Sequence, residues 1–485
     1  MKDIRRFLKM DDNILLWKDR FDRMENQQKY EAFRRAYPAF YYHGFSVSCT
    51  GAEIHVRYDF EIENLCAFHP TLRINAAVLP IKNAPDTPAA RRILFGLGMV
   101  ELISYWKCAC PPRVVIECGG LDGEDRDFWK KLYFNGLGEF FYRNGIEADP
   151  DSFLTIEAPQ PEPIPAEAFC NAHLNLIPVG GGKDSCVTLE LMRAFHAQNR
   201  LFMVNFQDAR DQCALAAGYT ETDMIHVLRT IDPALLERNR EGFLNGHTPF
   251  SAIVAFLGFY TAYLIGAEHI VLSNESSANE GNISGSHVNH QYSKSFAFER
   301  DFQAYAHKNL LPDIHYFSLL RPFNELQIAK FFAALPQYHT AFRSCNAGSK
   351  RNVWCCNCAK CLFVCGILSP FLPPEQLAAV FGENLLEKGS LRDIFDGLVG
   401  FSPVKPFECV GTQEELCFAL ALTVRHYRSR GETLPALLDY YAQHVDIEAL
   451  AADDSPLKAF NAQHQIPAVF QPYIKEMHRY AAGLA

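Results

Sequence analysis

A short apolar strand that runs into three consecutive glycines and then a helix constrains the fold of this chain more than any other feature. The strand is predicted over residues 174–179, and the helix over 186–198 has one apolar face. Between them lie Gly180, Gly181, Gly182, Lys183, Asp184 and Ser185. Glycines let backbone N–H groups approach an anion closely, and a helix N-terminus adds the positive end of its dipole. The loop therefore predicts a phosphate-binding site, with a glycine turn that holds no ligand as the alternative.

Strand-like and helix-like segments alternate from about residue 170 to 340. Strands separated by helices form a parallel sheet that is covered on both faces. Before them, period-two alternation on both sides of Thr50-Gly51 predicts an antiparallel hairpin. Four prolines within residues 158–165 predict a linker. We therefore predict an α/β fold with three units, which are an N-terminal α+β domain (1–160), a parallel-sheet domain that carries the glycine loop (166–340) and a mostly helical region (341–485).

The charge balance bears on the partners of the chain. With 46 Lys and Arg against 56 Asp and Glu, the formal net charge is −10. Nucleic-acid binders usually have a basic face and anionic membrane surfaces attract basic segments, so we expect neither partner. The N-terminus is charged and lacks an apolar signal segment, so the 16 cysteines indicate reduced thiols or metal ligands in a cytoplasmic protein. The sequence leaves the oligomeric state open.

A cluster of cysteines opens the last region. Cys345, Cys355, Cys358 and Cys361 follow the pattern C-x9-C-x2-C-x2-C. Four thiolates at such spacings suit a tetrahedral structural zinc, because short loops fold back to present them. Cys356 and Cys365 lie in the same stretch, and either could replace one of the four ligands. Unligated buried thiols and an iron–sulfur cluster are the alternatives.

Polar segments follow the predicted strand 269–273, at the strand end where ligands bind in open α/β sheets. Glu275 is a candidate for holding Mg²⁺, which prefers carboxylate and phosphate oxygens. His287, His290 and Lys294 are candidates for proton transfer or anion binding. For each residue alone, a solvated loop position is the alternative interpretation.

Two further segments have less chemical content. Residues 245–251 precede the longest apolar helix, where Ser or Thr either caps the helix or lines a nucleotide site, and capping is the simpler interpretation. Residues 405–412 read KPFECVGT and are predicted to form a turn with no decisive chemistry.

The glycine loop resembles the SGGxDS signature of the PP-loop ATP pyrophosphatases. Gly181, Gly182, Asp184 and Ser185 match that pattern, and Gly180 stands where the family has its leading Ser. The resemblance implies that the loop binds the pyrophosphate end of ATP and that cleavage gives AMP and pyrophosphate. The WCxxCxKC element at residues 354–361 is similar to that of PP-loop enzymes that carry a structural zinc.

Several stretches together resemble a narrower family, the MurL family of UDP-N-acetylmuramoyl-L-alanyl-L-glutamate epimerases, over nearly the whole chain. They lie at residues 101–107, 135–142, 180–185, 288–295, 345–361 and 405–412. The resemblance implies that the terminal L-glutamate of UDP-MurNAc-L-Ala-L-Glu is converted to D-glutamate for peptidoglycan synthesis. It also implies consumption of ATP with Mg²⁺, through adenylation of a carboxylate.

This chemistry needs groups that move the Cα proton. His290 and Lys294 are the candidates, and a cysteine pair that includes Cys186 is the rival. Trp106, Lys107 and Arg113 are expected to meet the uracil and diphosphate, or else Trp106 is a core residue. The competing functions are a PP-loop enzyme that acts on a nucleobase or tRNA, and a nucleotide-binding module without activity.

Overall fold

The computed structural model describes residues 25–163, 169–279, 289–402 and 405–483. His287 and part of the polar segment before it lie outside the described residues. Within the described part of the chain, no helix has both the length and the apolar character needed to cross a bilayer.

Eleven strands form one mixed sheet. The strands are β1 (Ala39–Thr50), β2 (Glu53–Ile62), β3 (Cys66–Phe68), β4 (Thr71–Asn75), β5 (Arg113–Ile116), β6 (Thr155–Glu157), β7 (Leu174–Pro178), β8 (Asn199–Val204), β9 (Met224–Thr230), β10 (Ala267–Leu272) and β11 (His315–Ser318). Their spatial order is β11-β10-β7-β8-β9-β4-β2-β1-β5-β6, and β3 pairs with β2.

The half of the sheet from β11 to β9 is parallel throughout. The chain leaves β7 towards β8 and β9 on one side, and it later returns to β10 and β11 on the other side. The order therefore reverses between β7 and β10, and ligands in open parallel sheets bind outside the carboxyl ends of the strands at such a point. The glycine loop follows β7, and the segment with Glu275 follows β10.

The other half contains the predicted hairpin. β1 and β2 are antiparallel, and Gly51 has a φ of +61° in the turn between them, as the Thr50-Gly51 pattern predicts. β4 then pairs with β9 in antiparallel register, from Thr71 opposite Thr230 to Ile74 opposite Val227. The two halves are thus joined by backbone hydrogen bonds.

The helices cover the sheet and build the C-terminal region. A helical segment at 25–36 precedes β1. The helices within the first two predicted units are α1 (Pro88–Trp106), α2 (Gly123–Gly136), α3 (Gly138–Asn144), α4 (Lys183–Leu191), α5 (Asp208–Ala216), α6 (Pro233–Arg240), α7 (Phe250–Ile265), α8 (Phe296–Asn309) and α9 (Glu325–Ala333). Those after residue 340 are α10 (Ala359–Leu368), α11 (Pro374–Phe381), α12 (Arg392–Val399), α13 (Gln413–Arg430), α14 (Ala436–Ala442), α15 (Ile447–Ala452), α16 (Ser455–Lys458) and α17 (Gln471–Ala482). The predicted mixed α/β fold and helical C-terminal region are confirmed.

Two hydrophobic cores lie on the two faces of the parallel half. One contains α1, α7 and the inner side chains of the hairpin, and it extends to Tyr316 on β11. The other contains α4, α9, α10 and α13. The first core and the sheet both run across the predicted boundary between residues 160 and 166, so the division into three units stays a prediction. The described linker residues, 158–163, form neither helix nor strand.

The helix predicted over 186–198 differs from the structure at both ends. It begins at Lys183, directly after the glycines, and it ends at Leu191. A 3₁₀ segment, Arg193–Gln198, replaces its last part, and Phe195 has non-helical angles there (φ −105°, ψ 21°). Apolar spacing alone cannot distinguish these two types of helix over so short a stretch.

Candidate functional site

The glycine loop joins β7 to the first turn of α4. Gly181 has a φ of +79°, in the left-handed region, and a Cβ there would lie 3.1 Å from backbone atoms of Ala209 and Arg210. Gly182 is the N-cap residue, and it has no side chain to satisfy the first N–H groups of the helix. Ser185 Oγ donates a 2.9 Å hydrogen bond to the Gly182 carbonyl. The turn therefore exposes a helix N-terminus that suits an anion.

Three carboxylates gather beside the loop. One oxygen each of Asp184, Glu275 and Glu325 lies within 4.8 Å of the others, and the two glutamates are buried. Lys183 is also buried, and its Nζ contacts both Asp184 and Glu325. Burial opposes the Lys183 charge, but these two carboxylates outweigh it and hold the pKa of Lys183 above its ordinary value. Burial raises the pKa of Glu325, and the nearby Asp184 and Glu275 charges add to this rise against the opposing effect of Lys183.

This cluster fits a divalent cation. Its donors are all carboxylate oxygens, the ligand type that Mg²⁺ prefers, and two of the three acids are buried. Asp184, Glu275 and Glu325 would hold the ion. Glu325 lies in the first turn of α9, and the sequence did not single it out.

A buried arginine fixes the backbone on this side of the site. Arg321 is fully buried and donates hydrogen bonds to the carbonyls of Glu275 (2.7 Å) and Lys294 (2.6 Å). It also pairs with the buried Glu299 at 2.9 Å, which balances its charge. Arg321 thus ties the segment after β10 to the 3₁₀ turn Tyr292–Lys294, so Glu275 and Lys294 are held relative to each other.

His290 and Lys294 meet at a cysteine. His290 Nδ1 lies 2.5 Å from Glu139 Oε2, and the His290 side chain also interacts with the Cys409 sulfur. Lys294 interacts with the same sulfur and with Glu275. Burial opposes the His290 charge, but Cys409 and Glu139 outweigh it and raise the pKa of His290 to about 9. Burial likewise opposes the Lys294 charge, and Cys409 and Glu275 outweigh it and raise the pKa of Lys294. Both side chains are therefore cations at neutral pH.

Cys409, like Glu325, is a candidate site residue to which the sequence alone did not point. Burial disfavours its charged form, but Lys294, Lys360 and His290 outweigh burial and hold the pKa of Cys409 well below that of an ordinary thiol. Lys360 Nζ also donates to the Cys409 carbonyl. The segment expected to be an inert turn thus carries a thiolate into the site. Its partners are remote in sequence, so the only available signal was its place among the stretches that resemble the family.

His247 completes the cluster. Its Nδ1 lies 3.5 Å from Glu139 Oε2, and its ring centre is 4.3 Å from that of His290. Burial and the neighbouring His290 lower the pKa of His247 to about 4, so it is neutral at neutral pH.

The prediction that a Ser or Thr caps α7 is wrong, because Pro249 occupies the N-cap position without a side-chain hydrogen bond.

The four predicted zinc ligands also come together. Cys345, Cys355, Cys358 and Cys361 place their sulfurs within 4.8 Å of one another. The backbone N–H groups of Gly348 (3.1 Å) and Cys355 (3.4 Å) donate to the Cys345 sulfur, which suits a thiolate. This donor set fits a structural zinc. Zinc binding itself stays a prediction.

The two extra cysteines lie apart from this group. Cys356 directs its sulfur to the Phe381 carbonyl at 3.3 Å, and Cys365 is fully buried on α10. The geometry therefore favours the four predicted ligands over either replacement.

Burial decides between the alternatives that the sequence left open for two other residues. Cys186 is fully buried in the second core, where burial and the neighbouring Cys213 raise its pKa well above the ordinary value, so it is an inert thiol. Trp106 is also fully buried, and its Nε1 donates to the Pro111 carbonyl at 2.8 Å. The core interpretation of Trp106 is therefore the correct one, because the helix α1 that carries it is packed on every side.

Lys107 and Arg113 occupy different environments. Lys107 is buried, and its Nζ donates to the Gly246 carbonyl next to His247. Burial and, to a smaller extent, Arg229 lower the pKa of Lys107 to about 8. Arg113 lies on the exposed edge of β5 and pairs with Glu157 at 2.7 Å. The predicted contact of these residues with the uracil and diphosphate stays a prediction.

Fold and site together define an α/β protein whose glycine loop lies at the switch point of a parallel sheet and suits an anion, beside a cluster of buried ionisable side chains. Residues 31–319 match the family model of the MurL N-terminal domain, and residues 340–453 match that of the MurL C-terminal domain. The chain belongs to the MurL family, as the resemblance predicted.

Curated relatives support the same assignment. The chain is 34% identical over 406 residues to the UDP-N-acetyl-alpha-D-muramoyl-L-alanyl-L-glutamate epimerase of Xanthomonas oryzae pv. oryzae, covering 82% of this chain and 88% of that protein. It is 34% identical over 409 residues to the protein of the same name from a Micromonospora species, covering 82% and 89%. The protein of that name from Salinispora tropica is 36% identical over 339 residues, covering 68% and 73%. No solved structure matches the chain.

Proposed function

We propose that this chain is an ATP-dependent epimerase that converts the terminal L-glutamate of UDP-MurNAc-L-Ala-L-Glu into D-glutamate. Two relatives that match this chain over most of their length carry the name of this epimerase. The observation that carries the proposal is structural. A glycine loop suited to phosphate and three buried carboxylates lie next to Lys294, which also contacts the thiolate and histidine cluster. A phosphate-binding end and a proton-transfer end thus share one site.

ATP is consumed in this reaction and is therefore a co-substrate. Gly180, Gly181 and Gly182, with the N-terminus of α4, would bind its phosphates, and Lys183, Asp184 and Ser185 shape the turn. Asp184, Glu275 and Glu325 would hold Mg²⁺, which supplies charge neutralisation for the phosphates. This end of the site supports transfer of AMP to a carboxylate, with release of pyrophosphate.

Adenylation solves the chemical difficulty of the reaction. Removal of the Cα proton from a free carboxylate would create a second negative charge on the same small group. The adenylate is neutral at the carbonyl and accepts the electron pair. We propose that the α-carboxylate is adenylated, because activation of the distant γ-carboxylate would not acidify Cα directly.

Proton transfer at Cα then falls to the cluster around His290. His290 and Lys294 are protonated at neutral pH and act as proton donors. The accepting group has to be neutral or anionic, and His247 satisfies this requirement. Such groups contribute roughly 10²–10⁴-fold each to proton-transfer steps.

The proposal also includes a structural zinc ion and a cytoplasmic location. The four clustered cysteines would hold a zinc ion that stabilises the region before α10, and it would take no part in the reaction. We place the activity in the cytoplasm with a small-molecule substrate and without nucleic acid.

The test is to mix the purified protein with ATP, Mg²⁺ and UDP-MurNAc-L-Ala-L-Glu. Pyrophosphate and AMP release are measured together with the chirality of the terminal glutamate. We expect all three products, and a hydroxylamine trap should give the α-hydroxamate. A trap product on the γ-carboxyl alone would contradict the choice of carboxylate. Pyrophosphate release that responds to tRNA or a nucleobase, and not to the sugar peptide, would overturn the substrate.

A further inference from the structure

Cys409 has surroundings that the proposed function does not require. His290 and Lys294 interact with its sulfur, and Lys360 on α10 donates to its carbonyl and adds a third cation. The adjacent Glu408 also interacts with Cys409, and burial and the charges of Cys358 and Cys409 raise the pKa of Glu408. A side chain that only filled space would need none of these cations.

The contacts of Cys409 form a relay. Its sulfur interacts with His290, and the Nδ1 of His290 lies 2.5 Å from Glu139 Oε2. A nucleophile, a base within hydrogen-bond reach and a third group that orients the base are the signature of an activated nucleophile. Glu139 provides the orientation, since its second oxygen pairs with Arg143 at 2.6 Å.

The same helix fixes the segment that carries the cysteine. The Arg143 guanidinium lies 5.0 Å from the centre of the Phe407 ring, and Tyr142 packs against that ring at 5.3 Å. On the other side, Gln291 Nε2 donates to the Val410 carbonyl at 3.3 Å. Phe407 and Val410 flank the cysteine, so its backbone is held on both sides relative to α3 and to the His290 segment.

Lys294 connects Cys409 to the loop end of the site, because it interacts with the Cys409 sulfur and also with Glu275 and Asp184. A carboxylate that is adenylated at the glycine loop would therefore be presented to the sulfur across a single lysine. A thiolate next to an acyl adenylate has a direct reaction available, because AMP is a good leaving group.

We propose that Cys409 is a covalent nucleophile that takes the acyl group from the adenylate. The sulfur attacks the carbonyl carbon, a C–S bond forms, the C–O bond to AMP breaks, and AMP leaves with the electron pair. The thioester keeps Cα acidic while its proton is exchanged. Water then attacks the carbonyl, the C–S bond breaks with its electron pair on sulfur, and the free carboxylate and the thiolate return with release of two protons. The step rests on the proposed function, because it needs the acyl adenylate.

The deciding experiment compares two products in the Cys409→Ala variant. With ATP, Mg²⁺ and UDP-MurNAc-L-Ala-L-Glu, we expect one equivalent of pyrophosphate per site. AMP release should fall roughly 10³-fold or more, because adenylate hydrolysis without the thiol is slow. Cys409→Ser should form a stable ester, seen in the intact mass as the substrate minus water and mapped to position 409. The exposed Cys49 provides the control, and Cys49→Ala should behave as the unchanged protein.

A second measurement does not depend on a folded variant. Iodoacetamide is applied to the unchanged protein from pH 6 to 9, and alkylation of Cys409 and Cys49 is read by peptide mass. The rate at Cys409 should stay nearly constant over this range, because its cationic neighbours keep the sulfur a thiolate, and the rate at the exposed Cys49 is the reference for that comparison. Equal pH dependence at the two cysteines would overturn the proposal.

The outcomes separate the two proposals. If the unchanged protein releases no pyrophosphate with the sugar peptide, the proposed function fails. If it releases pyrophosphate and forms D-glutamate while Cys409→Ala still releases AMP at the original rate, the covalent step is wrong. AMP release without epimerisation in that variant would assign Cys409 to proton transfer and would equally overturn the covalent step.

Discussion

Glu139 shows how a single residue sets the charge state of this site. Its two oxygens meet His290, His247 and Arg143, and it is buried at the start of α3. Burial raises its pKa, but His290 and the other cations outweigh burial and hold the pKa below the ordinary value. The carboxylate therefore stays charged and keeps His290 protonated and oriented.

Replacement of this carboxylate by an amide should alter the pH profile. In Glu139→Gln, we expect kcat to fall roughly 10²-fold with little change in KM, since the acid acts through His290. The alkaline limb of kcat/KM, near the His290 pKa of about 9, should move to lower pH because one of its two anionic partners is gone. Glu124→Gln is the matched control, as Glu124 is exposed on α2 and pairs only with Lys308 among the described ion pairs. An unchanged alkaline limb would contradict the role of Glu139.

His290 also links stability to pH. Its pKa is raised from 6.5 to about 9 in the folded protein, so the folded state retains a proton that the unfolded chain releases. The stability that this provides is complete below pH 6.5 and is lost as the pH rises through about 9. The difference in unfolding free energy between the protein and His290→Gln should therefore shrink over that range. Urea unfolding at several pH values measures it, and a difference that grows with pH would refute the assignment.

At the scale of an element, the loop between β7 and α4 depends on one glycine. Gly181→Ala should destabilise the protein by roughly 1–2 kcal/mol, because the left-handed angle disfavours a Cβ that would also crowd the start of α5. ATP binding should weaken with it. Gly180→Ala is the control for the stability measurement, because a Cβ at Gly180 meets nothing within 4 Å. The unfolding free energy of this variant should match that of the unchanged protein. Isothermal titration and urea unfolding give both quantities.

The cysteine element before α10 offers a matched pair of neighbours. Cys358→Ser should reduce zinc content, measured by plasma mass spectrometry, from one per chain to near zero and lower the melting temperature by roughly 5 °C or more. Cys356→Ser should keep the metal, because its sulfur points to the Phe381 carbonyl. Loss of zinc from both variants would contradict the four-ligand assignment.

Elements with strong local signals were predictable from the sequence. α7 begins at Phe250 and ends at Ile265 as its apolar run indicates, and the β1–β2 hairpin turns at Gly51. The site was predictable where its residues are neighbours in the chain, as in the glycine loop and the cysteine cluster, or where they follow a strand of the parallel sheet, as Glu275, His290 and Lys294 do. Cys409 was missed because its thiolate character comes from residues far away in sequence, and the burial of Trp106 depends on packing that no local pattern encodes.

At the scale of the whole molecule, a buried ion pair joins the first two predicted units, residues 1–160 and 166–340. Arg229 on β9 pairs with Glu101 on α1 through hydrogen bonds of 2.7 and 2.8 Å, and both side chains are buried. Glu101→Gln should destabilise the protein by about 3–5 kcal/mol, because it leaves a buried charge without its partner. Removal of both partners, as Glu101→Leu with Arg229→Leu, should recover most of that loss.

A control for this prediction is the exposed pair of Arg113 and Glu157, where Glu157→Gln should change stability by less than about 1 kcal/mol.

Thermal unfolding of Glu101→Gln should remain a single transition if the shared sheet makes both units one cooperative body. Two separate transitions would instead support the division near residue 160.

The reactive cluster takes Glu139, His290 and Cys409 from three widely separated parts of the chain. Protein synthesis proceeds from the N-terminus, so the ribosome has made most of the polypeptide before Cys409 emerges. Until α10 and the segment after it have docked, that sulfur has the reactivity of any free thiol, and no partly made chain carries the assembled relay. The order of synthesis itself thus keeps the growing polypeptide catalytically inactive.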